Sequence, residues 1–165
     1  MGQLVSGVLW IATAAIATWG APRTAIILVV LGGMLIFPLT RLGLRAIGHR
    51  VAPTPGNPLN GLAMQVAFTL PLALPVVGAA ALYRLEWFFP AFMIVLGAHY
   101  LPFVFLYGMR MFAVLCALLV SAGWVLALYV PLGFSAGAWF TGALLLTFAF
   151  AGRWVAAAEA QASAV

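Results

Sequence analysis

The sequence predicts an all-α integral membrane protein, a single domain over residues 1–165 folded as a bundle of six transmembrane helices. Three observations carry that expectation. The chain is 67% hydrophobic and only 5% charged, whereas a soluble domain is about 45–50% apolar and about 25% charged. So few charges cannot clothe a water-facing surface. The mean hydropathy is +1.21, and lipid is the solvent that accepts an apolar exterior. Finally, the apolar runs are each about 20 residues long, the length that crosses a bilayer as a helix. Barrel strands would be about 10 residues with alternating polarity, and no such alternation is seen.

The first span is expected over residues 3–20, ended by Ala21-Pro22. No positive residue precedes it, so it reads as a retained helix rather than a leader. The second covers residues 24–44 and runs into the main basic cluster, Arg41, Arg45, His49 and Arg50. Residues 51–60, with Pro53, Pro55, Gly56 and Pro58, should form the longest non-helical connection. The third span covers 61–83 and the fourth 87–107, joined by the tight turn Arg84-Leu85-Glu86. The fifth covers 111–130 and stops at Pro131-Leu132-Gly133, and the sixth covers 135–154.

Six spans put both termini on one side, together with Arg41, Arg45, Arg50, Arg110 and Arg153, against Arg23 and Arg84 on the other. Positive residues concentrate in cytoplasmic loops, so both termini are expected to face the cytoplasm. The seven arginines thus report topology, and nucleic acid is not expected as a partner. The expected partners are the bilayer itself and a homo-oligomer or larger membrane assembly. A faint repeat links Val30-Leu31-Gly32-Gly33 with Val95-Leu96-Gly97-Ala98, each followed by a proline, as a hairpin duplication of spans 1–2 and 3–4 would produce. Small residues at Ala113, Ala117 and Ser121, and the step Gly133 to Gly137, are expected to let helices approach closely.

His99 is the residue that most invites a chemical reading. At about 1.5 Å per residue it lies roughly 20 Å from one end of its span and about 12 Å from the other. A polar side chain at that depth is costly and faces the bundle or a cavity. Two readings stand: a proton-handling or ligand-contacting group, or a neutral imidazole hydrogen-bonded to the next helix. Thr69 is expected at matching depth, with Gln65 one turn away on the same face. Prolines inside spans free backbone carbonyls. Pro102 in particular leaves the carbonyl of Ala98 wanting a water or side chain. The ligand-binding residues expected are therefore His99, Gln65, Thr69, Pro38 and Pro102, between the second, third and fourth spans.

Absences narrow the chemistry. The only acids are Glu86 and Glu159, both outside the expected hydrocarbon, which removes paired-carboxylate catalysis. Two histidines on different segments and the single Cys116 make no metal centre and no disulfide. No catalytic residue and no cofactor is named by the sequence, and the reading leans away from an enzyme.

The segment Gly56-Asn57-Pro58-Leu59, the helix Gly97-Ala98-His99-Tyr100-Leu101-Pro102 followed by Tyr107, and Leu35-Ile36-Phe37-Pro38-Leu39 together resemble a family of small bacterial membrane proteins known only as a domain of unknown function. The resemblance implies a multi-helix bacterial membrane protein, with His99, Pro102, Asn57 and Pro58 as distinctive positions. It implies no activity. The function expected is thus a small transporter or small-molecule-binding membrane protein; a structural or accessory subunit of a larger complex is the alternative.

Overall fold

The computed structural model describes residues 1–46, 48, 58–130 and 132–162. Helices fill almost all of it, with no strand among the described residues: α1 (Gly2–Trp19), α2 (Pro22–Ala46), α3 (Pro58–Tyr83), a 3-10 turn (Leu85–Trp87), α4 (Phe88–Tyr100), α5 (Phe103–Tyr107), α6 (Met111–Leu128) and α7 (Ala136–Ala162). Among the described residues, four apolar helices are long enough to span a membrane: Gly2–Trp19, Pro22–Ala46, Leu59–Tyr83 and Met111–Leu128. These make the chain a helical membrane protein. The proline-rich connection expected over 51–60 falls mostly outside the described residues, as do His49, Arg50 and Asn57; α3 already begins at Pro58.

The fourth expected span is not one helix. It divides into α4 and α5, with Leu101 and Pro102 between them. Pro102 has no N–H to give to Ala98, and the chain tightens there. The amide of Leu101 reaches the Ala98 carbonyl at 3.2 Å. That carbonyl therefore needs neither the water nor the side chain expected for it. α5 then stops at Gly108, whose φ of 68° is left-handed and reverses the chain toward α6.

The chain divides into two compact units, Met1–His49 with Ala138–Val165, and Arg50–Gly137. In the first, α1 and α2 form an antiparallel hairpin: Thr40 lies by Gly2, and Leu9 by Gly32. α7 runs antiparallel to α1, since Leu146 lies against Gly7, Ile11 against Gly142, and Trp139 against Thr18. A Cβ at Gly7 would stand 2.8 Å from Leu146, so the two helices are as close as a missing side chain permits. Trp10, Thr13 and Ala14 are buried between them and α2, while Ile27, Leu31, Met34, Leu35 and Phe37 leave an apolar flank of α2 exposed.

In the second unit α4 packs on α3 and on α6. Its inner face is Phe88, Phe89, Phe92, Met93, Leu96 and Tyr100, all buried. α6 crosses it antiparallel and offers Phe112, Leu115, Leu119 and Gly123. A Cβ at Gly97 would meet Val120, the Cys116 carbonyl and Leu119 within 3.1 Å, and one at Gly123 would meet the Pro90 carbonyl at 2.8 Å. Lipid gives helices little hydrophobic reason to associate, so this close van der Waals fit is what holds them.

Two packing expectations change here. Ala113, Ala117 and Ser121 lie on the exposed side of α6, because the large Phe112, Leu115 and Leu119 supply the inner face and the gap for them comes from Gly97. Gly137 does pack, under Phe89 and Met93, but Gly133 has no atom near its Cβ position and instead serves a turn with φ 88°.

Candidate functional site

Thr69 sits on α3 and His99 near the end of α4, and the two helices bring them together. Thr69 Oγ1 lies 3.0 Å from His99 Nδ1. The same hydroxyl lies 2.7 Å from the Val66 carbonyl on its own helix. The partner expected from depth alone is thus the one found.

These distances favour one placement of the protons. A threonine hydroxyl has one proton. At 2.7 Å from the Val66 carbonyl the hydroxyl donates to that oxygen. The tautomer that fits this arrangement carries the ring proton on Nδ1 and donates it to Thr69. The second nitrogen, Nε2, is left as a bare acceptor.

The ring is half-buried, edge-on to Tyr100 at 5.7 Å and to Phe103 at 5.2 Å between centroids. Val66, one turn before Thr69, is buried against the same seam. Thr69 itself and Gln65 are on the exposed side of α3, and Gln65 makes no hydrogen bond to His99 among the described residues. Pro102 caps α5 three residues beyond His99. Pro38 lies inside α2, in the other unit, with Phe37 beneath the Arg41 guanidinium at 5.5 Å. Of the expected site residues, the structure therefore joins His99 and Thr69, and sets Pro102 in the turn that follows.

Two features escaped the sequence. One is a ring cluster below His99: Tyr100 lies parallel to Phe112 at 6.1 Å, and Phe103 meets Tyr107 and Phe112 at 5.6 and 5.7 Å. The spacing of Tyr100, Phe103 and Tyr107 along one helical face was its signal. The other is a cavity of about 290 Å³ at the opposite end of this unit, lined by Arg84, Glu86, Trp87, Pro90 and the end of α6. None of the expected site residues borders it. Among the described residues, no group of three or more His, Cys, Asp or Glu stands ready to hold a metal.

A family model covers residues 2–153, both units and the His99 seam included, and its description is a family of unknown function, DUF7010. The chain belongs to DUF7010. No curated protein and no solved structure matches it. Membership of DUF7010 agrees with the resemblance read from the Gly-Ala-His-Tyr-Leu-Pro helix, and it carries no activity with it.

Proposed function

We propose that this DUF7010 protein is a bacterial inner-membrane protein that binds, and carries across the bilayer, a small solute able to donate a hydrogen bond. The observation that supports this is the chain from His99 Nδ1 through the Thr69 hydroxyl to the Val66 carbonyl, which uses up one side of the imidazole and leaves Nε2 as a fixed acceptor near the end of the apolar helix α4. A solute N–H or O–H is the group that Nε2 would meet, and proton uptake is the other chemistry open to it. Six spans, with both termini on the cytoplasmic, arginine-rich side, are part of this reading. The antiparallel course of α1 and α7, which sets the start of one beside the end of the other, supports it. A hairpin duplication is not part of it: Gly32 packs on α1, while its counterpart Gly97 packs on α6 rather than α3.

The test uses the purified chain, a panel of small amines, amides and alcohols, and thermal stability as the readout. His99→Asn keeps a donor near the Nδ1 position and removes Nε2. At least one class of solute should raise the Tm of the wild type and leave His99→Asn unmoved. A panel in which every shift is the same for both proteins would end the proposal.

The alternative, an accessory subunit of a membrane assembly, draws on one observation: the small residues Ala113, Ala117 and Ser121 form a stripe on the exposed side of α6. Ser121 spends its hydroxyl on the Ala117 carbonyl of its own helix at 2.7 Å, which smooths that stripe for a neighbouring helix.

A further inference from the structure

We propose that the cavity at the Arg84 end of the second unit holds the headgroup of an aminophospholipid, its phosphate on the Arg84 guanidinium and its ammonium between Glu86 and the last carbonyls of α6. The proposal makes no use of His99 and goes beyond the function proposed above.

The lining of the cavity combines both charges. Arg84 and Glu86 flank it, and no ion pair joins them among the described residues. Arg84 lies over the Trp87 ring at 5.7 Å, which orients the guanidinium and occupies that face of the indole. Trp87 is in turn tilted against Tyr83, with centroids 5.5 Å apart. A guanidinium is the side chain best suited to the paired oxygens of a phosphate.

The cation side of the site is built from backbone. α6 ends at Leu128, and the last carbonyls of a helix have no partner within it. The amides of Tyr129 and Val130 both turn to the Val125 carbonyl, at 2.9 and 3.0 Å. Leu126 thus loses its usual donor, Val130; the residue four beyond Ala127 is Pro131, which has no N–H, and the amide of Leu132, four beyond Leu128, turns to the Val130 carbonyl. Leu126, Ala127 and Leu128 all line the cavity. Free carbonyls at a helix C-terminus carry partial negative charge. With Glu86 they make a place for a group having several N–H donors, as a primary ammonium has.

Position selects a lipid over a free metabolite. The cavity opens where α3 and α6 end, at the level where spanning helices meet the headgroups. Leu132 lines it, and the exposed Leu82, Tyr83, Leu85 and Tyr129 adjoin its lining residues in the chain, an apolar surface that acyl chains would cover. The same chemistry discriminates among lipids. A choline headgroup has no N–H to offer Glu86 and the carbonyls. A glycerol headgroup has no cation to answer Glu86.

The full chain, stripped of lipid in detergent, is offered equal amounts of phosphatidylethanolamine, phosphatidylcholine and phosphatidylglycerol, and bound lipid is read by native mass spectrometry. The wild type should retain phosphatidylethanolamine about fivefold over each of the others, the reach of one partly exposed charge pair. Glu86→Gln should abolish the preference over phosphatidylglycerol, and Arg84→Gln should weaken both. Both residues are exposed, so neither change should disturb folding. Equal retention of the three lipids, or an unchanged preference in Glu86→Gln, would overturn the proposal. So would displacement of the lipid by free phosphoethanolamine at millimolar concentration, which would name a soluble zwitterion as the occupant. His99→Asn should keep the lipid preference in full, which separates failure here from failure of the solute-binding proposal.

Discussion

Thr18 and Thr69 solve the same problem in the two units of this chain, and end with different chemistry. Each threonine donates to a carbonyl of its own helix: Thr18 to Ala14 at 2.8 Å, and Thr69 to Val66 at 2.7 Å. Each then receives a ring nitrogen from another helix, Trp139 Nε1 at 2.9 Å in the first unit and His99 Nδ1 at 3.0 Å in the second. As a device for joining helices in lipid the two are equivalent. An indole has one nitrogen, a donor, so the Trp139 chain is closed once made. An imidazole has two, and the His99 chain leaves an acceptor over. The lesson is that a hydrogen-bond partner at the right depth does not distinguish a structural histidine from a functional one; the unused nitrogen does.

That comparison can be broken at three levels. The largest effect is expected from removing the rings. Trp139→Ala loses its bond to Thr18 and the edge contact with Trp19 at 6.0 Å, and should cost about 3 kcal/mol in a denaturation series. His99→Ala should cost less, about 2 kcal/mol, because the ring is smaller. A costlier His99→Ala would mean that the histidine carries more of the packing than its neighbours show.

The hydroxyls come next. Thr18→Val leaves the indole N–H without its acceptor and should cost about 1 kcal/mol. Thr69→Val should cost about half of that, since Thr69 is exposed and the imidazole can turn to another acceptor. Equal losses in the two variants, measured side by side, would show that the imidazole finds none.

The smallest effect is spectroscopic. Nitrogen-15 spectra of selectively labelled histidine should give His99 one protonated nitrogen, Nδ1, and one bare one, Nε2. A ring protonated on Nε2 would reverse the direction of the whole chain and remove the difference from Trp139.

Much of this arrangement was readable from the sequence, and what was not has physical causes. Helix ends came through where the length of an apolar run and its proline or arginine ends set them; α3 ends at Tyr83 and α6 begins at Met111, as read. Depth counting found Thr69 for His99 because rise per residue is constant along a helix. Rotation is a different matter. Ala113, Ala117 and Ser121 do share a face, yet spacing alone cannot say which face meets a neighbour, and Gly97 on another helix decided it. Pro102 announced a break, but whether the freed carbonyl finds a new donor depends on how tightly the turn closes, and here Leu101 supplies one. The Arg84 cavity was beyond reach because the backbone at the end of α6, which helps to line it, has no letter in the sequence.

The division between α4 and α5 has a consequence for local opening. α5 has only five residues, from Phe103 to Tyr107. A helix shorter than about 12 residues does not hold itself in water, since one turn of hydrogen bonds does not offset the entropy of fixing it. Gly108 closes one end and the Leu101–Pro102 turn interrupts the other. Its order comes from ring contacts on both sides: Phe103 and Tyr107 against Phe112 of α6, and Phe103 against His99 and Tyr100 of α4. Opening α5 therefore strips ring contacts from α6 and from the His99 seam together.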